Sequence, residues 1–112
     1  MSDQSYPSII TDLPAARVPF PGVRGWLAST DTHQVAFLDL EPLGEVPEHT
    51  HAEQWGIVVS GEMELTIDGQ TRRLRAGDSY HIPADTPHSA RILTRVKAID
   101  IFADPRRYEV DG

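Results

Sequence analysis

From Gln34 onward the chain breaks into seven short apolar segments, residues 35–40, 55–59, 63–67, 71–74, 79–82, 90–93 and 96–102, each bounded by turn-forming residues. None carries a helical period, and segments this short and this regularly punctuated read as strands. The pair Asp68-Gly69 sits between the alternating run Met63, Leu65, Ile67 and the segment 71–74. Asp-Gly flanked by alternating apolar residues is the strongest short-range hairpin signal, because both positions of a two-residue loop need a positive φ. Glycine (8) and proline (9) are together richer than average, which again favours many turns over long helices. Seven or more such strands predict an all-β domain, a jelly-roll sandwich or barrel, with an open antiparallel sheet fitting the pattern nearly as well.

At 112 residues and 12.4 kDa one domain must carry everything. Residues 1–30 are broken by Pro7, Pro14, Pro19 and Pro21 but contain Ile9, Ile10, Val18, Phe20 and Trp26. They read as an N-terminal arm with short edge strands lying on the barrel or on a neighbouring subunit, and residues 31–112 as the barrel itself. A net charge of −7 repels phosphate backbones and anionic lipid, which argues against nucleic acid and membrane partners. The first ten residues lack the basic and apolar regions of a leader, so a cytoplasmic location is expected. With no cysteine, disulfides, thiolate catalysis and every cysteine-containing zinc site are excluded, and a metal would need His, Asp, Glu or amide ligands.

His49 and His51 are two residues apart in an extended context, which puts both imidazoles on one face, about 6.6 Å apart along a strand. Two such ligands need further groups from elsewhere in the fold. His33 follows Asp31-Thr32 in a turn and reads as solvated, and Arg72, Arg73 and Arg75 as an exposed face. Arg91 and Asp100 are charges inside strand patterns, and either could line a pocket mouth.

The string from Gly44 through His49-Thr50-His51 and Gln54 to Gly61 resembles the first motif of the cupin superfamily, with six residues between Gln54 and Gly61. Gly77-Asp78, Pro83 and His88 resemble the second, 15 residues further on. The resemblance spans residues 44–88 and implies a double-stranded β-helix (jelly-roll) cupin barrel. It also implies one divalent transition metal ion per chain, held by His49, His51, Gln54 and His88. Only two residues separate His51 from Gln54, so Glu53 competes for the fourth position. A neutral amide would leave the full 2+ charge on the ion, whereas Glu53 would offset one unit of it. Asp85 stands where the family usually has Gly, and Ile92 where Asn is common.

If Gln54 faces inward, so do Gly56 and Val58, and Gly56 leaves room beside the metal. Trp55, Ile57 and Val59 then face outward and predict a homodimer interface, with Ile9, Ile10 and Phe20 as candidates to cover it. Tyr80 and His81 alternate along their strand, so one of the two faces the cavity and is the candidate general acid or base. The function implied is a metal-dependent enzyme acting on a small oxygenated organic molecule, by isomerase, lyase, decarboxylase or dioxygenase chemistry. The alternative is a non-catalytic domain that binds a small carboxylate or sugar through the same metal.

Overall fold

The computed structural model describes residues 6–42 and 45–111, so Gly44, the first glycine of the motif, lies outside the described residues. A four-residue helix, α1 (Ser8–Thr11), precedes eleven strands. These are β1 (Ala16–Arg17), β2 (Val23–Ser29), β3 (Gln34–Leu40), β4 (Glu45–His49), β5 (Gln54–Ser60) and β6 (Glu62–Ile67), then β7 (Gln70–Arg75), β8 (Ser79–Ile82), β9 (His88–Ile92), β10 (Val96–Phe102) and β11 (Glu109–Val110). One sheet runs β2-β3-β10-β5-β8, the other β4-β9-β6-β7, and β1 pairs with β11; every pairing is antiparallel. This is a jelly roll, two antiparallel sheets packed face to face.

The period-2 alternation of the sequence becomes the inner faces of the two sheets. Ala36, Leu38 and Leu40 of β3 and Val96, Ala98 and Phe102 of β10 meet Met63, Leu65, Leu74 and Ile92 from the opposite sheet in one buried cluster. Along β7 only Leu74 is buried, so Arg72, Arg73 and Arg75 are exposed as their spacing predicts. The hairpin forms where expected: Ile67 pairs with Gln70 across a two-residue loop in which Asp68 and Gly69 have φ of +50° and +80°. Asp85, in the place of a usual glycine, adopts a φ of +60°, which aspartate tolerates better than most residues. Ile92 is buried in the core and does not line the cavity described below.

Apart from the short β1, strand pairing in the N-terminal segment begins two residues after Pro21, its last proline, with β2, which forms the edge of the five-stranded sheet. Before it, Tyr6 packs edge-on against Trp26 and Phe37, its hydroxyl within hydrogen-bonding reach of the carbonyls of Leu38 (3.0 Å) and Ala98 (3.2 Å). The arm therefore covers part of the outer face of that sheet. Trp55, Val59 and Ile101 stay exposed on it. Phe20, expected to help cover this face, is instead turned to the cavity, where its ring lies 5.8 Å from that of His49. Ile9 points to solvent, 80% exposed.

Candidate metal centre

At one end of the barrel the two sheets part around a cavity with about 70 Å³ of room, enough for a few waters or one small ligand. His49 ends β4, His88 begins β9 and faces it in register, and His51 stands in the turn that follows β4. The two residues of the His-x-His motif thus do not share a strand, since β4 stops at His49. The turn folds the second imidazole over the first: ring centroids of the three histidines lie 4.3 to 5.1 Å apart. Among the described residues, His49, His51 and His88 form the group of ligand atoms lying within 4.8 Å of one another.

Each ring is tied through the same nitrogen. Nδ1 of His49 meets the carbonyl of Pro47 at 2.8 Å, Nδ1 of His51 that of Ala52 at 2.7 Å, and Nδ1 of His88 that of Thr86 at 2.8 Å. A carbonyl only accepts, so each Nδ1 carries the proton and each Nε2 presents a lone pair. Burial first, and then the positive charge of Arg107, push the pKa of His51 down to about 4; burial likewise lowers that of His49. The rings of His49 and His51 are therefore neutral near pH 7. Nε2 of His51 and Nε2 of His88 consequently oppose two lone pairs at 3.0 Å, an arrangement that repels unless a cation lies between them. Two nitrogens each about 2.1 Å from one ion and at right angles around it are about 3.0 Å apart. The donor set and its spacing fit a divalent transition metal.

Gln54 is buried and lines the same cavity, with Nε2 donating to Oδ1 of Asp100 at 2.9 Å. Glu53, its competitor, is on the outer face, where its carboxylate is 2.6 Å from Nε2 of His81. Strand alternation decides the second pair in the same way. Tyr80 is buried against the cavity, while His81 is exposed on the opposite face of β8, so the reading of His81 as an acid or base at this site is corrected.

The Tyr80 hydroxyl donates to Oδ1 of Asp100 at 2.6 Å. Asp100 is fully enclosed, and burial raises its pKa to about 6 against the opposing hydrogen bonds from Tyr80 and Gln54. Burial, with the Asp100 charge, holds the Tyr80 phenol well above its usual range, so it stays protonated. Of the two charges inside strand patterns, Asp100 is the one inside the barrel; Arg91 lies on the outer face beside Glu45 and Glu64. The alternation of Val96, Ala98 and Phe102 with Asp100 would have marked it as inward-facing. The room that Gly56 leaves is filled by this pair, since a methyl there would collide with Asp100 and the Tyr80 ring. Sequence reasoning also passed over Arg107 and Tyr108, which reach the cavity from the segment after β10.

The family model for the cupin domain matches residues 36–102, a span that contains the three cavity histidines and every strand from β4 to β10. The chain belongs to the cupin family. This cupin is 39% identical over 99 residues to an H2HPP isomerase of Bacillus subtilis, covering 78% of the chain and 42% of the isomerase. It is 44% identical over 48 residues to a quercetin 2,3-dioxygenase of Bacillus subtilis strain 168, covering 41% of the chain and 14% of the dioxygenase. The cupin therefore spans less than half the length of either relative. KdgF from Halomonas sp. superposes with a TM-score of 0.74 at 30% identity, over 82% of this chain and 86% of that one. No helix among the described residues is long and apolar enough to cross a membrane.

Proposed function

We propose that this cupin is a metal-dependent enzyme acting on a small oxygenated organic molecule. One divalent transition metal ion per chain would be held by His49, His51 and His88 with the amide oxygen of Gln54. The observation that carries the reading is the convergence of three imidazoles whose Nδ1 atoms are all committed to backbone carbonyls, leaving their Nε2 lone pairs to one point. The relatives named as an isomerase and a dioxygenase support enzymatic use of such a centre without choosing the reaction.

A divalent ion bound there supplies Lewis-acid chemistry, polarising a ligand oxygen and stabilising negative charge that develops on it. The chain's own residues do the rest. Asp100 holds the amide nitrogen of Gln54, which fixes the amide oxygen as the end that is left to coordinate. Tyr80 and Asp100 form a proton-handling pair: while Asp100 is ionised it accepts from the phenol, and the phenol oxygen can accept from a ligand. Once Asp100 is protonated, the phenol hydrogen is released to donate into the cavity. Leu38, Met63 and Leu65 wall the space with apolar surface, which limits water beside the reacting group.

Elemental analysis of protein purified without a metal affinity column tests the centre. About one equivalent of a transition metal is expected in the wild type, little in Gln54→Ala, none in His88→Ala, and a full complement in Glu53→Ala. A wild type that carries no metal and takes none up on reconstitution would overturn the reading. A ligand that stabilises the metal-loaded protein but returns chemically unchanged would make the chain a binding domain instead of an enzyme. For the outer face we propose a homodimer through Trp55, Ile57 and Val59, supported by the exposure of Trp55, Val59 and the neighbouring Ile101. Sedimentation should give a dimer that Trp55→Glu converts to monomer, and a monomeric wild type would refute it.

A further inference from the structure

Arg107 is the cavity residue whose partners do not account for it. Its Nε is buried and has no hydrogen-bond partner among the described residues, and none of their carboxylates forms an ion pair with it. A guanidinium with a donor in that condition is costly to keep unless something occupies the space it faces. The group is not loosely placed. Its carbon lies 4.4 Å from the centre of the Tyr108 ring and 5.5 Å from that of Phe102, and it lines the same cavity as the three histidines.

The segment that carries it is held from below. Gln34 is buried, and its amide accepts from the backbone N–H of Tyr108 at 2.9 Å while donating to the carbonyls of Tyr108 and Pro105, each at 3.1 Å. The backbone on either side of Arg107 is thereby anchored to β3, and the pairing of β11 with β1 closes the segment beyond it. An arginine fixed in this way is a preorganised fork for a planar anion.

Charge balance points to the same occupant. Imidazole and amide ligands would leave the 2+ charge of a bound ion uncompensated, and Arg107 adds another positive charge in the same cavity. Asp100 is the carboxylate that lines it, and it is already hydrogen-bonded to Tyr80 and Gln54.

We infer that Arg107 is the recognition residue for a carboxylate on the substrate, so that the cavity takes a small organic anion spanning the guanidinium and the histidine cluster. The inference rests on the metal-enzyme reading above and adds the substrate class to it. A neutral polyol or ester of the same shape would leave the guanidinium unpaired and bind poorly.

The test uses pyruvate and its uncharged methyl ester as probes, with binding measured by titration calorimetry on zinc-loaded and on chelator-treated protein. The wild type should prefer pyruvate to methyl pyruvate by tenfold or more, the range expected for hydrogen bonds to a charged group. Arg107→Met should lose that preference while keeping its metal and its affinity for the ester. Arg107→Lys, which keeps the charge without the fork, should recover part of the preference. Wild-type protein that does not discriminate acid from ester, or an Arg107→Met variant that still does, overturns the inference. Zinc content of the same samples separates this failure from that of the metal centre. A wild type that binds no zinc but shows an Arg107-dependent preference for the acid would sink the metal and leave the anion anchor standing.

Discussion

Replacing Gly56 by alanine adds one methyl group at the most crowded point of the barrel. A Cβ built on Gly56 would stand 2.5 Å from Cζ and 2.6 Å from Cε1 of Tyr80, and closer still to Oδ1 of Asp100, where real Cβ contacts almost never fall below 3.0 Å. Neither neighbour is the loose end of a flexible chain, for both are buried and bonded to each other at 2.6 Å. Overpacking by one methyl in a tight core costs about 1–3 kcal/mol. If Tyr80 yields, the buried Asp100 carboxylate loses a charge-assisted hydrogen bond worth about 1.5–3 kcal/mol. The sum, about 2.5–6 kcal/mol, would lower the melting temperature of a chain this size by roughly 10–25 °C. Scanning calorimetry of chelator-treated protein measures it. The control is Gly69→Ala, which meets nothing within 4 Å and carries only the strain of its +80° φ, about 1 kcal/mol. In an Asp100→Ala background the added methyl should cost markedly less, because its nearest obstacle is gone. A Gly56→Ala protein that melts within about 3 °C of wild type would refute the packing argument, since the predicted shift is several times larger.

Asp100 and His51 should oppose each other in the pH dependence of stability. The native pKa of Asp100 is raised from 3.8 to about 6, so its burial costs up to about 3 kcal/mol above pH 6, a cost that disappears as pH falls towards 4. His51 is shifted down to about 4, so the stability lost on its account grows as pH falls from 6.5 to 4. In metal-free protein, Asp100→Asn should therefore lose melting temperature more steeply than wild type between pH 6.5 and 4; parallel profiles would contradict the assignment. Asp39 is 1% exposed and accepts from Arg95 and Arg24 at 2.7 and 2.8 Å. Burial pushes its pKa up, but those hydrogen bonds prevail and hold it below the usual carboxylate value. Asp39→Ala should cost about 2–3 kcal/mol in denaturant melts, at or below the low end for a buried pair because both arginines can turn to water; a change under about 0.5 kcal/mol would show the pairs to be idle.

Most of the sheet was legible because its inner faces follow a strict period of two. Met63, Leu65 and Ile67 on one side of Asp68-Gly69, and Leu74 on the other, fix the hairpin register without any tertiary information. The same alternation, applied once the inward face of β5 is known, separates Gln54 from Glu53 and Tyr80 from His81. What the sequence did not disclose is set by turns and by chain returns. His51 lies beyond the end of β4, so strand geometry misplaces it although its approach to His49 is right. Arg107 and Phe20 reach the cavity from irregular segments near opposite ends of the described chain, and no local period announces a residue brought in that way. Gly56 was read as open room because the side chains that fill it, Tyr80 and Asp100, come from strands 24 and 44 residues further on.

The partners that set the histidine tautomers are main-chain carbonyls, each within two residues of the ring it holds. Such a partner has no side chain to lose. Substituting Pro47, Ala52 or Thr86 leaves a carbonyl at the same place so long as the turn keeps its shape. A saturation mutagenesis screen of this barrel should accordingly find the three imidazoles intolerant and their immediate supports tolerant, the reverse of a centre braced by carboxylates. Lineages carrying this arrangement can remodel the cavity walls around the histidines without disturbing the way the imidazoles present their lone pairs.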